Sequence, residues 1–215
     1  MLECGTTVHV IIAKRMTPMA DHQPFLQAIL ANPNDDAPRL IYADWLEEQG
    51  DVARAEFIRV QCAMAKYHVF DPARLALMVR GKELQAVHQN EWLGEARQWM
   101  QGWTFARGFV EKAALYPNQF LKHVERLFAR EPVRWLRLLR AGRSMGKILA
   151  NGALARLSRL TTLDLSHNEM GNEATNQLVL SPQWATLRVL NLADNTLEDS
   201  GIIPLLTVPW VAQIQ

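Results

Sequence analysis

The clearest pattern along the chain is an alternation of apolar and polar positions that returns at a fixed interval. Arg159-Leu-Thr-Thr-Leu-Asp-Leu-Ser-His-Asn168 places leucines at 160, 163 and 165 and an asparagine at 168. Thr186-Leu-Arg-Val-Leu-Asn-Leu-Ala-Asp-Asn195 places Leu187, Leu190, Leu192 and Asn195 each 27 residues later. L-x-x-L-x-L-x-x-N at a period within about 20 to 29 residues is the signature of a leucine-rich repeat. Each such unit predicts a short strand with its leucines turned inward. The asparagine serves turn backbone groups that have no strand partner.

The same step backwards reaches Val133, Leu136 and Leu138, with Ala141 in place of the asparagine, and then Phe109, where only part of the pattern survives. That decay predicts a capping repeat. Between the strands, 168–178 aligns with 195–205, and Ser181-Pro182 and Val208-Pro209 follow as helix stops, so each unit reads as strand, turn, helix and proline-marked return. The expected fold is α/β, with parallel strands on a concave face and helices on the convex face. A 27-residue unit containing a helix resembles the ribonuclease-inhibitor type of leucine-rich repeat.

The first half has helical rather than strand periodicity. Phe25, Leu26, Ile29 and Leu30 form a stripe ended by Asn32-Pro33. Asp35 or Asp36 caps a second helix carrying Leu40, Ile41, Trp45 and Leu46, closed by Gly50. Asp51 caps a third with Phe57, Val60 and Met64. Asp71-Pro72 opens a fourth with Leu75, Met78 and Val79, continued by Leu84 and Val87.

The run from Phe25 through Asn32-Pro33, Tyr42-Ala-Asp-Trp45 and Gly50-Asp51 to Arg59 resembles the bacterial repeat-companion domain, a short helical module at the head of repeat proteins. Trp103-Thr-Phe-Ala-Arg-Gly-Phe-Val-Glu111 is similar to that family's passage into its first strand. The resemblance covers about residues 21 to 113 and implies an architecture, a helical cap followed by repeats. It implies no reaction, cofactor or catalytic residue. The expected organisation is therefore 1–20 as a tail or a start-site artefact, with Met16 or Met19 as alternative starts, 21–104 as the helical module, and 105–215 as repeats.

Composition narrows the function classes. With 49% hydrophobic and 21% charged residues the 215-residue chain has an ordinary globular balance, and its net charge of +1 points to no class of partner. Residues 1–15 lack the basic start and small-residue cleavage site of a signal peptide. Cys4 and Cys62 make no disulfide framework, which suggests a reduced, cytoplasmic setting. The six histidines contain no i,i+4 pair, so neither metal nor cofactor is expected.

Chemistry has few candidates. Glu47 and Glu48 diverge by about 100° on a helix and do not converge on a substrate. Asp44, between Tyr42 and Trp45, reads as a structural tie to Arg39 or Arg54. No serine sits in a nucleophile elbow and no glycine run cradles phosphate. A catalytic reading would need a polar constellation around Asp44, Arg107 and Glu111, so the chain is expected not to be an enzyme.

Binding has better candidates. Trp92, Trp99, Trp103, Trp184 and Trp210 read as packing residues, whereas Trp135 and Arg137 alternate with inward Leu136 and Leu138 and therefore face outward. The repeat register predicts a row of Glu111, Arg137, Asp164 and Asn191 beside a row of Trp135, Thr162 and Val189. Tryptophan and arginine are enriched among binding hot spots, so this face is the expected surface for a protein partner. The alternative is a polyanion, RNA or DNA, held by the basic stretch 122–159, which has ten Lys and Arg against Glu125 and Glu131. Those side chains fall on several faces and lack interleaved aromatics, so nucleic acid is the weaker expectation, and no membrane contact is expected. The strand ending near Ala193 has no successor. Self-association through its edge, a longer array, or cover by 202–214 are all consistent with that.

Overall fold

The computed structural model describes residues 21–150, 159–180 and 186–214. The expectations for residues 1–20, Arg156, Ser181-Pro182 and Trp184 lie outside these residues.

The described residues begin with four helices, α1 (Gln23–Ala31), α2 (Ala37–Glu48), α3 (Val52–Ala65) and α4 (Pro72–Leu93), with the short α5 (Ala96–Trp99) after them. Their starts follow side-chain chemistry. Asp51 Oδ1 accepts from the Arg54 N–H at 3.1 Å and Asp71 Oδ1 from the Ala73 N–H at 2.8 Å, satisfying donors that have no partner inside a first helical turn. At α2 the carboxylate that serves is Asp35, which accepts from the Ala37 N–H at 2.9 Å. Leu75, Val79 and Val87, which the periodicity places on a packed face of α4, are exposed, and Leu84 and Leu93 are the leucines that α4 buries.

Then comes a five-stranded sheet in the order β1 (Gly102–Ala106), β2 (Phe109–Leu115), β3 (Trp135–Leu138), β4 (Thr162–Asp164) and β5 (Val189–Asn191). β1 and β2 form an antiparallel hairpin, and every later pairing is parallel. The hairpin turns on Arg107 and Gly108, both at positive φ (48° and 86°), the backbone that a two-residue turn needs to match strand twist. Helix α6 (Pro117–Arg130) crosses from β2 to β3, α7 (Met145–Ala150) follows β3, α8 (Asn172–Val179) follows β4 and α9 (Asp199–Leu206) follows β5. Helix α9 packs along α8.

Two cores hold the parts together. The smaller joins Leu26, Ile29, Tyr42, Leu46, Ala55 and Ile58 to Phe109 at the start of β2. The larger runs from Phe57, Leu84 and Trp99 through Phe120, Leu127 and Phe128 to Leu136, Leu163 and Leu187. Both cross residue 104, which itself lies inside β1. The helices and the first strands thus share buried surface, at roughly 25 cal/mol per Å² of apolar area removed from water. Among the described residues no helix is long and apolar enough to cross a membrane.

Candidate partner-binding face of the sheet

Alternation along β3 sets the face. Leu136 and Leu138 are fully buried against α6, while Trp135 and Arg137 are half-exposed on the opposite side. The pairing registers extend this into two rows. Lys112, Trp135, Thr162 and Val189 are aligned in one, and Ala114, Arg137, Asp164 and Asn191 in the other. For β3, β4 and β5 these are the rows that the 27-residue step predicts.

β2 departs from the step. Ala114 pairs with Arg137, an offset of 23 residues rather than 27, and the hairpin register slips between Thr104 and Phe105 so that Glu111 is the extra residue of a bulge. Glu111 is therefore absent from the Arg137 row, and Lys112 enters the row of Trp135. Its Nζ stands 5.9 Å from the Trp135 ring centroid, within cation–π range. The 23-residue spacing from Ala113-x-Leu115 to Leu136-x-Leu138 was the available signal for Lys112.

The second row is mostly committed to structure. Asp164 Oδ1 accepts from the Ser166 N–H at 3.0 Å and from its hydroxyl at 2.7 Å. Asn191 Oδ1 accepts from the Ala193 N–H at 3.1 Å. These matching Asx turns end β4 and β5. Arg137 Nε lies 3.6 Å from Asp164 Oδ2 in an ion pair across adjacent strands, an interaction worth about 0.2 to 1 kcal/mol. The first row, with Lys112 exposed, Trp135 and Thr162 half-exposed and Val189 exposed, is the one whose side chains remain available.

Glu111 has a different place. Its carboxylate meets the fully buried Arg39 at 3.1 Å and Arg107 at 3.8 Å, and Arg107 Nε meets Asp36 at 3.0 Å. Burial holds the Arg39 guanidinium below its ordinary value against the pull of Glu111. It holds the Glu111 carboxyl above the ordinary carboxylate range although Arg39 and Arg107 oppose it. The chain Asp36, Arg107, Glu111, Arg39 ties α2 to the bulge of β2. Asp44 takes no part: exposed on α2, it pairs with Arg59 at 2.7 Å rather than with Arg39 or Arg54, and Glu47 joins the same arginine at 2.6 Å. One turn of helix separates these carboxylates, and α3 presents Arg59 between them.

Neighbouring chemistry is sparse. Cys62 is buried and its thiol is pushed up to about 12, chiefly by burial, so it lacks the thiolate needed for reactivity. Among the described residues no group of three or more His, Cys, Asp or Glu is placed to hold a metal ion. The basic stretch is partly spent. Arg126 pairs with Glu95, Arg134 reaches Asn34, and Arg159 donates to the Phe128 carbonyl at 2.6 Å.

With this geometry in place, comparison with known proteins adds one finding: a family model described as Leucine Rich repeat matches residues 158–174 and 185–206. These segments carry β4, β5, the first residues of α8 and the whole of α9, and they match as leucine-rich repeats. No match was found among curated proteins or solved structures.

Proposed function

We propose that the chain is a non-catalytic binding module: a helical part of repeat-companion type caps a short leucine-rich-repeat solenoid whose outward, concave sheet face takes a protein partner. The observation that carries this reading is the row Lys112, Trp135, Thr162, Val189, in which a half-exposed tryptophan is held by a rigid strand and flanked by a cation. Leucine-rich repeats generally mediate protein–protein interaction, and an aromatic on a rigid element loses little conformational entropy when it is covered. Arg137 and Asp164 form the polar border of that row and Asn191 continues it.

The ion chain of Asp36, Arg107, Glu111 and Arg39 is self-neutralising, which favours a structural tie over catalysis. Pairing of Arg126, Arg134, Arg137 and Arg159 within the chain leaves the polyanion reading with less support. The test is capture of a partner by the wild type and by a Trp135→Ala, Arg137→Ala double variant at low and raised salt. Protein recognition survives raised salt and is lost in the variant, whereas polyanion binding washes off both.

A further inference from the structure

A cleft of about 490 Å³ lies where α1, α2, α3 and α4 meet the start of β2 and the end of α6. Volumes of roughly 300 to 1,000 Å³ are typical of small-molecule sites. The cleft is on a different part of the molecule from the outward row of the sheet, and its ligand is independent of any partner on that face.

Arg54 lines this cleft. It is 8% exposed, its Nη1 is buried without a hydrogen-bond partner, and its guanidinium makes no ion pair among the described residues. The contrast with Arg39 is internal to the molecule. Arg39, which is fully buried, also leaves its Nε without a partner, but its two terminal nitrogens donate to Glu111 and to the Asp35 carbonyl, both at 3.1 Å. Arg54 is surrounded by rings instead, its Cζ 4.8 Å from the centroid of Trp92 and 5.5 Å from that of Phe109. Glu131, also on the cleft, has its Oε2 engaged by the Val110 N–H at 2.8 Å. A guanidinium out of water needs hydrogen bonds to offset its desolvation, and the chain supplies none to this Nη1.

The chemistry of the walls selects the ligand. A guanidinium fork matches a carboxylate. Tyr42, Trp45, Trp92 and Phe109 line the cleft with aromatic surface against which an apolar body can pack. Asp51, Glu91 and Glu131 line the same cleft against Arg54 and Arg130, so a second negative charge on the ligand meets repulsion and a phosphate is disfavoured. We propose that this cleft binds a small aromatic monocarboxylate, with Arg54 taking the carboxylate and the surrounding rings stacking on its body.

The experiment titrates 3-phenylpropionate, its neutral counterpart 3-phenylpropanol and inorganic phosphate into the full chain, by calorimetry and by ligand-observed NMR. The expected result is saturable binding of the acid, about tenfold or more tighter than the alcohol, since charged hydrogen bonds are the stronger kind, with phosphate weaker than the acid. Arg54→Met removes the preference for the acid, and Trp135→Ala leaves it unchanged. Equal affinity for acid and alcohol, no saturable binding of the acid, tighter binding of phosphate, or an undiminished preference in Arg54→Met overturns the proposal. Should Arg54→Met fail to fold by circular dichroism, the acid-to-alcohol ratio in the wild type decides alone.

Discussion

The side-chain amide of Asn168 donates to the carbonyl of Leu138 at 2.8 Å, thirty residues back in the chain, and Asn195 donates to Leu165 at 2.9 Å across the same interval. Asn168 Oδ1 also accepts from the Ala141 N–H at 2.6 Å. One buried side chain thus closes the turn of the preceding unit, and its successor repeats the operation.

Replacing Asn168 by alanine orphans the Leu138 carbonyl and the Ala141 N–H, a loss of about 2 to 5 kcal/mol from two unpaired groups. Urea unfolding of the variant measures it. Asn168→Asp is expected to be comparably damaging, because a carboxylate would face the Leu138 and Ser166 carbonyls that the amide now serves. Asn195→Ala, at a half-buried position, costs less.

Gly108 is required by space as well as by its φ. A Cβ there would stand 2.9 Å from the Cα of Ile58 on α3, and its N–H donates to Gln61 Oε1 at 2.7 Å. Gly108→Ala should therefore cost roughly 2 to 4 kcal/mol through backbone strain and overpacking. A drop in melting temperature with an unchanged far-ultraviolet spectrum is the expected signature.

The Arg39–Glu111 pair makes an asymmetric prediction. Glu111→Ala leaves the buried Arg39 without its carboxylate and is expected to destabilise by about 3 to 5 kcal/mol. Arg39→Met combined with Glu111→Leu removes both charges and should recover most of that loss. Chemical denaturation of the wild type and these two variants reads the difference.

A pH dependence comes from Glu131. Burial raises its carboxyl above the ordinary glutamate value against the opposing pull of Arg54. A carboxyl whose folded pKa is raised binds its proton more tightly when folded. Its contribution to stability therefore grows as pH falls through the raised value and levels off below the unfolded one. Comparing wild type with Glu131→Gln from neutral pH downward isolates this slope, which the variant should lack.

The sheet from β3 to β5 is legible in the sequence because three units keep one spacing, and spacing fixes which residues share a row. β2 is not, since its link to β3 is four residues shorter and a bulge at Glu111 shifts the alternation. The partner of Asp44 differs from the expected one for a related reason: Arg39 and Arg54 turn into the cores, and Arg59 is the arginine that α3 sets at the surface. The cleft at Arg54 is assembled from six separate elements, and no local pattern announces such a meeting. Asp164 and Asn191 fall in the row that the repeat predicts, but their turn-forming role depends on hydrogen bonds two residues along.

Recognition of a protein by the row led by Trp135 is tested most directly by quantitative capture from a lysate of the source organism. Wild type stands beside Trp135→Ala, Arg137→Ala, both verified to share one unfolding midpoint. The expected result is a protein retained by the wild type at low and raised salt and lost from the variant. Equal retention by both, or recovery of nucleic acid alone that salt removes from both, would contradict recognition by that row.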